Sequence, residues 1–231
     1  MHKKLCQPAI LPTLVLSTGQ IPVLDEDVPL KWLGVLIDSH LSMRPFVLSR
    51  YRSAFFQLRT IRYVRDYLDA SSTLLLCNAL VLSRIDYCCS QLIVLSQIYI
   101  TKLQRVINLA ARTISRTRRF DHISPILSTL EWMSMSDRIT FRVCCCVYQS
   151  LYGRFPSYLS ECLVRHTTAR NLRSITSMRL EPGRARIRIG EGSFSSAGPR
   201  MWNGLPFAIR NLRTYIEFCM HLKQYLLSHH Q

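Results

Sequence analysis

The chain has 231 residues, of which 48% are hydrophobic, and a formal charge of +16 at pH 7. That much apolar material can bury a core in one large or two small domains, which excludes disorder along the whole length. Of the 30 basic residues 25 are Arg; because a planar guanidinium forks onto phosphate oxygens, a polyanion is the expected partner, nucleic acid ahead of a membrane surface.

The charge is unevenly placed. Residues 1–43 hold 3 basic and 4 acidic side chains, residues 44–120 hold 13 and 3, residues 121–164 hold 3 and 4, and residues 165–213 hold 10 and 2. Together with the changes in hydrophobic period these limits divide the chain into 1–43, 44–120, 121–164 and 165–231. In the first segment, Ile10 to Ser17 and Leu30 to Ile37 are short apolar runs separated by Gly19, Pro22 and the acidic Asp25, Glu26 and Asp27. That punctuation predicts strands and turns. The opening MHKKLCQPAILPTLVLSTG imitates a secretory signal, but Pro8 and Pro12 interrupt it, and nothing approaches the roughly 20 unbroken apolar residues of a membrane span. A nuclear or cytoplasmic chain is expected, not a secreted one, and no membrane partner.

From Pro45 the period becomes helical. Val47, Tyr51, Phe55, Leu58, Ile61, Val64 and Leu68 recur at three and four residues, which predicts a helix of about six turns with one stripe facing a core. Arg44, Arg50, Arg52, Arg59, Arg62 and Arg65 lie mainly off that stripe. Asp69, Ser71 or Ser72 caps a second helix through Leu74, Leu75, Leu80, Val81, Ile85 and Leu92, apolar all round and so expected to be central. A third, from about Ile98, turns Leu103, Val106, Ile107, Ala110 and Ile114 inward and Lys102, Arg105, Arg112 and Arg116 outward. Arg118 and Arg119 extend its basic edge. Residues 124–164 read as helical, broken at Gly153 and Pro156 and restarting at Ser157. Beyond His166, Arg184, Arg186 and Arg188 alternate with Ala185, Ile187 and Ile189 between Pro182, Gly183 and Gly190, which predicts a strand with one basic face. An amphipathic helix from about Thr214 follows.

Few residues carry catalytic chemistry. Cys88, Cys89, Cys144, Cys145 and Cys146 sit side by side in apolar stretches without the gaps that metal ligands need, so reduced, buried thiols are expected. The histidines are scattered and none forms a local constellation with Cys or Ser and a carboxylate. Asp25, Glu26 and Asp27 read as a solvated loop, because alternate side chains of an extended segment diverge. Asp38 is expected to cap a turn, and Asp86 to pair locally with Arg84. No phosphate-cradling loop with a Gly-Lys-Ser/Thr ending is present.

Several blocks in order carry a family resemblance. Trp32-Leu33-Gly34-Val35, Asp38, Leu41-Ser42, Leu58-Arg59, Ser83-Arg84-Ile85-Asp86-Tyr87-Cys88, Leu103-Gln104-Arg105-Val106 and Ala110-Ala111-Arg112 lead the series. It continues through His122-Ile123-Ser124-Pro125, Leu130-Glu131-Trp132, Leu151-Tyr152-Gly153, Pro156-Ser157-Tyr158-Leu159, Leu172-Arg173-Ser174, Phe194-Ser195, Trp202-Asn203 and Leu205-Pro206. The series resembles the region after the catalytic palm in reverse transcriptases of LINE-type, jockey-like, non-LTR retrotransposons, from about Leu30 onward. Cys89 and Met133 depart from it, standing where Asn and Pro are usual.

The resemblance implies a mainly α fold: a small N-terminal β remnant of palm and primer grip, a helical thumb-like bundle over 44–120, further helices over 121–164, and a mixed, basic C-terminal region with a short β hairpin. Leu33, Gly34 and Val35 are the primer-grip-like residues. The expected nucleic-acid-binding set is Arg50, Arg52, Arg59, Arg62, Arg65, Lys102, Arg105, Arg112, Arg116, Arg118, Arg119, Arg184, Arg186 and Arg188. Tyr51, Tyr63, Tyr67 and Phe120 are aromatic neighbours that can meet sugars or unpaired bases. The expected partner is RNA or RNA–DNA hybrid bound without sequence specificity, and a separate palm-containing polypeptide is a further candidate. In the family, magnesium is held by an Asp-Asp pair and an upstream Asp. The chain contains no Asp-Asp pair, so no resident cofactor and no polymerisation by the chain alone are expected. The C-terminal block around Trp202 is expected to pin the end of the chain to the helices, with a template contact through Arg200, Arg210 and Arg213 as the alternative. The other function classes are a translated transposon remnant without activity and a basic amphipathic membrane-surface protein.

Overall fold

The computed structural model describes residues 15–16, 19–20, 28–93, 95–166 and 178–228. The described chain is mainly helical, with three two-stranded antiparallel pairings. Residues 1–46 and 47–231 form two compact units.

In the first unit, Val15–Leu16 (β1) pairs with Gly19–Gln20 (β2), while the rest of the expected strand from Ile10 and the acidic run Asp25 to Asp27 lie outside the described residues. Leu30–Trp32 (β3) and Val35–Ile37 (β4) form a hairpin in which Trp32 faces Val35. Leu33 and Gly34 make its turn, and both have positive φ (46° and 79°), as a two-residue type I′ turn requires. Gly at the second position meets that demand without a Cβ penalty. The Asp38 carboxylate accepts from the backbone N–H of Ser42 (3.2 Å) and Met43 (3.1 Å), closing the turn before the first helix as expected.

Arg44–Tyr63 (α1) is the first expected helix. Within the second unit its buried seam runs Val47, Ala54, Leu58 and Ile61. Phe55 departs from the expected stripe: it is 42% exposed and stacks on Tyr51, ring centroids 5.9 Å apart. The small Ala54 takes the inward place, which lets α1 approach its neighbours closely.

The second helix starts where its cap predicts. Asp69 accepts from the Ser72 N–H at 2.9 Å and opens Ala70–Leu76 (α2). The run then widens into a π-helical turn, Cys77–Leu82, whose last N–H, from Ser83, reaches back to the Asn78 carbonyl. It closes with Ser83–Asp86 (α3). It does not continue to Leu92: Tyr87 is extended and Cys88 left-handed at φ 54°, and Cys89–Leu92 forms a separate 3₁₀ turn. The apolar periodicity carried no sign of that break, because both turns bury Leu and Cys alike.

Gln97–Ser115 (α4) has a continuous apolar face, Ile100, Leu103, Val106, Ile107, Ala110 and Ile114 all buried. Ser124–Thr129 (α5) packs on it. Met135–Leu151 (α6) is opened by Ser134, which accepts from the Asp137 N–H at 3.2 Å. This helix is buried on opposite sides because it packs against α4 and the Cys89–Leu92 turn as well as two C-terminal helices. Ser157–Glu161 (α7) restarts after the Gly153 and Pro156 break, as expected.

The C-terminal region is mixed, but its strands lie elsewhere than predicted. Val164–Arg165 (β5) pairs with Leu180–Glu181 (β6), across a connection outside the described residues. Arg184 and Arg186 lie in irregular backbone, and Arg188–Glu191 (α8) is a helical turn. The alternation of residues 184–189 therefore makes no basic strand face. A strand needs a partner ladder, Pro182 has no N–H to give one, and the Gly183 N–H goes to Ser195 instead.

That last bond has a cause inside Phe194–Asn203 (α9). Pro199 within the helix cannot donate to the carbonyl four residues back, Ser195, and the Gly183 N–H takes that carbonyl at 2.8 Å. Trp202 and Asn203 hold the same segment. Trp202 Nε1 donates to the Met178 carbonyl at 2.8 Å, and the Asn203 amide accepts from Leu180 N–H (3.0 Å) and donates to Leu180 O (2.7 Å). With Phe207–Arg210 (α10) and Tyr215–Ser228 (α11), α9 closes an aromatic core in which Tyr148 stacks on Phe218 at 4.4 Å and Trp202 is fully buried. Trp202, Leu205 and Ile209 thus pin the end of the chain. Arg210 is only 4% exposed, its Nε on the Leu205 carbonyl, and Arg200 donates to Ser196 and Glu191, so the alternative template contact loses two of its three arginines.

Candidate nucleic-acid interface

The end of α1 and the outer face of α4 enclose a groove of about 780 Å³. Arg105, Asn108, Leu109, Arg112 and Arg116 come from successive turns of α4, since residues three and four apart share a helix face. Arg62 comes from the last turn of α1, Arg65 and Asp66 from the turn after it, and Arg119 from the loop after α4. Six guanidiniums therefore line one groove, and Asp66 is the only carboxylate among its described lining residues. Asp66 stands 3.8 Å from Arg116 with its side chain 92% exposed, so water screens the pair.

The six are not equivalent. Arg65 is 9% exposed and does not offer its charge to a ligand. Its Nε donates to Thr113 O (2.8 Å), one terminal nitrogen to Ile114 O (2.9 Å) and the other to Leu68 O (2.6 Å). The first two are carbonyls left unbonded by the end of α4, where Arg116 turns left-handed at φ 54°. The expectation that Arg65 binds nucleic acid is corrected: α1 ends at Tyr63, the turn swings the residue inward, and a cation there offsets the negative end of the helix dipole. Arg112 spends two N–H groups on Arg118 O and Asp121 O, while Asp121 accepts from the Arg118 N–H at 2.8 Å. Arg112 therefore fixes the loop that carries Arg119. Among the described residues no carboxylate pairs with Arg62, Arg105 or Arg119, and all three are exposed.

The other expected residues lie off the groove. Arg50 stands over the Tyr87 ring (4.8 Å to its centroid) and Lys102 over Tyr99 (5.7 Å). Arg52, Arg59 and Arg118 are exposed, as are Arg184 and Arg186 in the C-terminal patch, and Arg188 opens α8. Leu33 is exposed at the hairpin tip and Val35 is buried in β4. Of the aromatic neighbours, Tyr63, Tyr67 and Phe120 are 87%, 90% and 91% exposed.

A second cavity, about 600 Å³, lies between the π-turn and α6 and has both signs of charge. One terminal nitrogen of Arg138 holds both Asp86 oxygens (2.9 and 2.8 Å), and Lys223 meets Glu131 at 2.7 Å. Asp86 thus pairs with a residue 52 positions away rather than with Arg84, which turns to Ser53 Oγ and Leu80 O. Sequence spacing could not show this: the local pair places Arg84 on the α1 side of the helix, and Asp86 faces α6. Mixed charge gives this cavity no preference for a polyanion. Among the described residues no three His, Cys, Asp or Glu side chains come together as a metal site, and no helix is long and apolar enough to cross a membrane.

The thiols are packed as core. Burial pushes the Cys77 thiol up to about 11 against the pull of Arg65, and the Cys89 and Cys144 thiols up to about 12. Cys145 is raised too, by burial and by Cys219, whose sulfur is 3.7 Å away. Protonated thiols of this kind are poor nucleophiles.

No protein-family model, curated protein sequence or solved structure matches the chain.

Proposed function

We propose that the chain is the thumb and C-terminal region of a LINE-type, non-LTR reverse transcriptase, and that it holds RNA or RNA–DNA hybrid by its backbone without reading sequence. The observation that carries this reading is the groove in which Arg62, Arg105, Arg112, Arg116 and Arg119 converge with one screened carboxylate. Guanidiniums so placed meet successive phosphates, and ordinary soluble surfaces mix both signs instead. The ordered sequence blocks from Trp32 to Pro206 supply the family. With no Asp-Asp pair in the sequence, binding rather than nucleotide addition is the activity proposed.

Fluorescence anisotropy with a labelled hybrid duplex tests it. About four phosphate contacts give an affinity that falls roughly a hundredfold between 50 and 200 mM salt. The double variant Arg62→Glu/Arg105→Glu should lose most of that dependence. Affinity indifferent to salt overturns the reading, and primer extension on RNA by the pure chain with magnesium overturns its non-polymerising part.

The remnant reading has one observation of its own. Val28, Leu30, Trp32 and Leu33 are all exposed on or beside the hairpin, an apolar edge that invites aggregation or a palm-containing partner. A purified chain that unfolds cooperatively and stays in solution argues against an unstable remnant.

A further inference from the structure

Backbone contacts alone leave part of the groove's surroundings unexplained. Three large rings stand at its rim almost wholly in water: Tyr63 next to Arg62, Tyr67 next to Asp66, and Phe120 next to Arg119. Isolated exposed apolar residues are ordinary. Here three rings adjoin groove-lining residues, two on the α1 side and one on the α4 side, and none of them is buried in the core.

Phe120 is also held in place. Its loop is tied by the two Arg112 bonds to Arg118 O and Asp121 O and by the Asp121 carboxylate on the Arg118 N–H. The Arg119 guanidinium lies 6.0 Å from the Phe120 centroid, so a cation backs one face of the ring and the other stays open. A loop built to bury an apolar residue would turn it inward; this one presents it.

Exposed rings beside a cationic track are what unpaired bases need: the phosphates meet the charges while each base lays its π-face on a ring. A duplex stacks its bases on one another and has none to offer. We therefore propose that the preferred ligand of this groove is an unpaired strand, its phosphates on Arg62, Arg105 and Arg116 and its bases stacked on Tyr63, Tyr67 and Phe120. This rests on the nucleic-acid reading above and narrows it from hybrid or RNA in general to the single-stranded portion of a template.

The test uses the full chain and three labelled probes of equal length: single-stranded RNA, an RNA–DNA hybrid, and a strand of the same charge whose nucleotides are abasic. Single-stranded RNA should bind at least tenfold more tightly than the abasic strand, and more tightly than the hybrid. The triple variant Tyr63→Ala/Tyr67→Ala/Phe120→Ala should lose roughly tenfold or more for single-stranded RNA and nothing for the abasic strand. All three side chains are exposed, and an unchanged melting curve confirms the fold. Equal binding of single-stranded and abasic probes, or indifference of single-stranded binding to the triple variant, overturns the stacking proposal while salt-dependent binding leaves the nucleic-acid reading standing. Failure of all three probes to bind in a salt-dependent way overturns both.

Discussion

Asp69 shows how much one exposed side chain can organise. Hydrogen bonds from the Ser71 and Ser72 side chains and from the Ser72 amide hold its carboxyl down to about 2. A depressed folded-state value adds stability that is present above the ordinary value of 3.8 and is lost as pH falls toward about 2. Asp69→Asn keeps a capping side chain that does not titrate, so the stability gap between parent and variant should narrow between about pH 4 and 2 in acid titrations followed by circular dichroism. Asp86 carries a larger effect. Its partner Arg138 is 8% exposed, and Asp86→Ala leaves that guanidinium with Met133 O but no carboxylate. A cost of about 2–3 kcal/mol is expected in denaturant melts, below that of a fully buried pair because the Asp86 side chain keeps 25% of its exposure. Adding Arg138→Met should recover part of it.

At the scale of elements, the end of α4 depends on a residue from outside it. Arg65→Met keeps the length of the side chain and removes the donors to Thr113 O and Ile114 O, so a loss of about 2–3 kcal/mol is expected. Arg62→Met, four positions from the end of the same turn and exposed, should change stability by no more than about 0.5 kcal/mol while weakening nucleic-acid binding. Two arginines three apart thus separate into one that serves the fold and one left for a ligand. The sequence did not reveal that division, since charge and periodicity treat them alike; a helix ending two residues before Arg65 is what turns it inward. What was legible was local: the Asp69 cap, the break at Gly153 and Pro156, the apolar face of α4 and the anchoring by Trp202. What was not legible depended on partners far away in sequence, such as Asp86 with Arg138 and Ser195 with Gly183. The strand expected at residues 184–189 failed for that reason: alternation states which face each residue would take, and only a neighbouring ladder makes it a strand.

For the molecule as a whole, burial of the thiols gives a reading of global stability. Cys162 is exposed whereas Cys77, Cys89 and Cys144 are buried with raised thiols. Brief alkylation at pH 8 followed by mass spectrometry should label Cys162 first and the other three only as denaturant unfolds the second unit. Labelling of all four at one rate in buffer would mean that its core is open. The wide turn at Cys77–Leu82 has a separate consequence for how this chain tolerates change. It accommodates one residue more than a regular helix would, so excising a single residue there restores ordinary winding and shifts the phase of everything after it by about 100°. Asp86 would then point away from Arg138, which makes this stretch one where a one-codon deletion costs more than most substitutions within it.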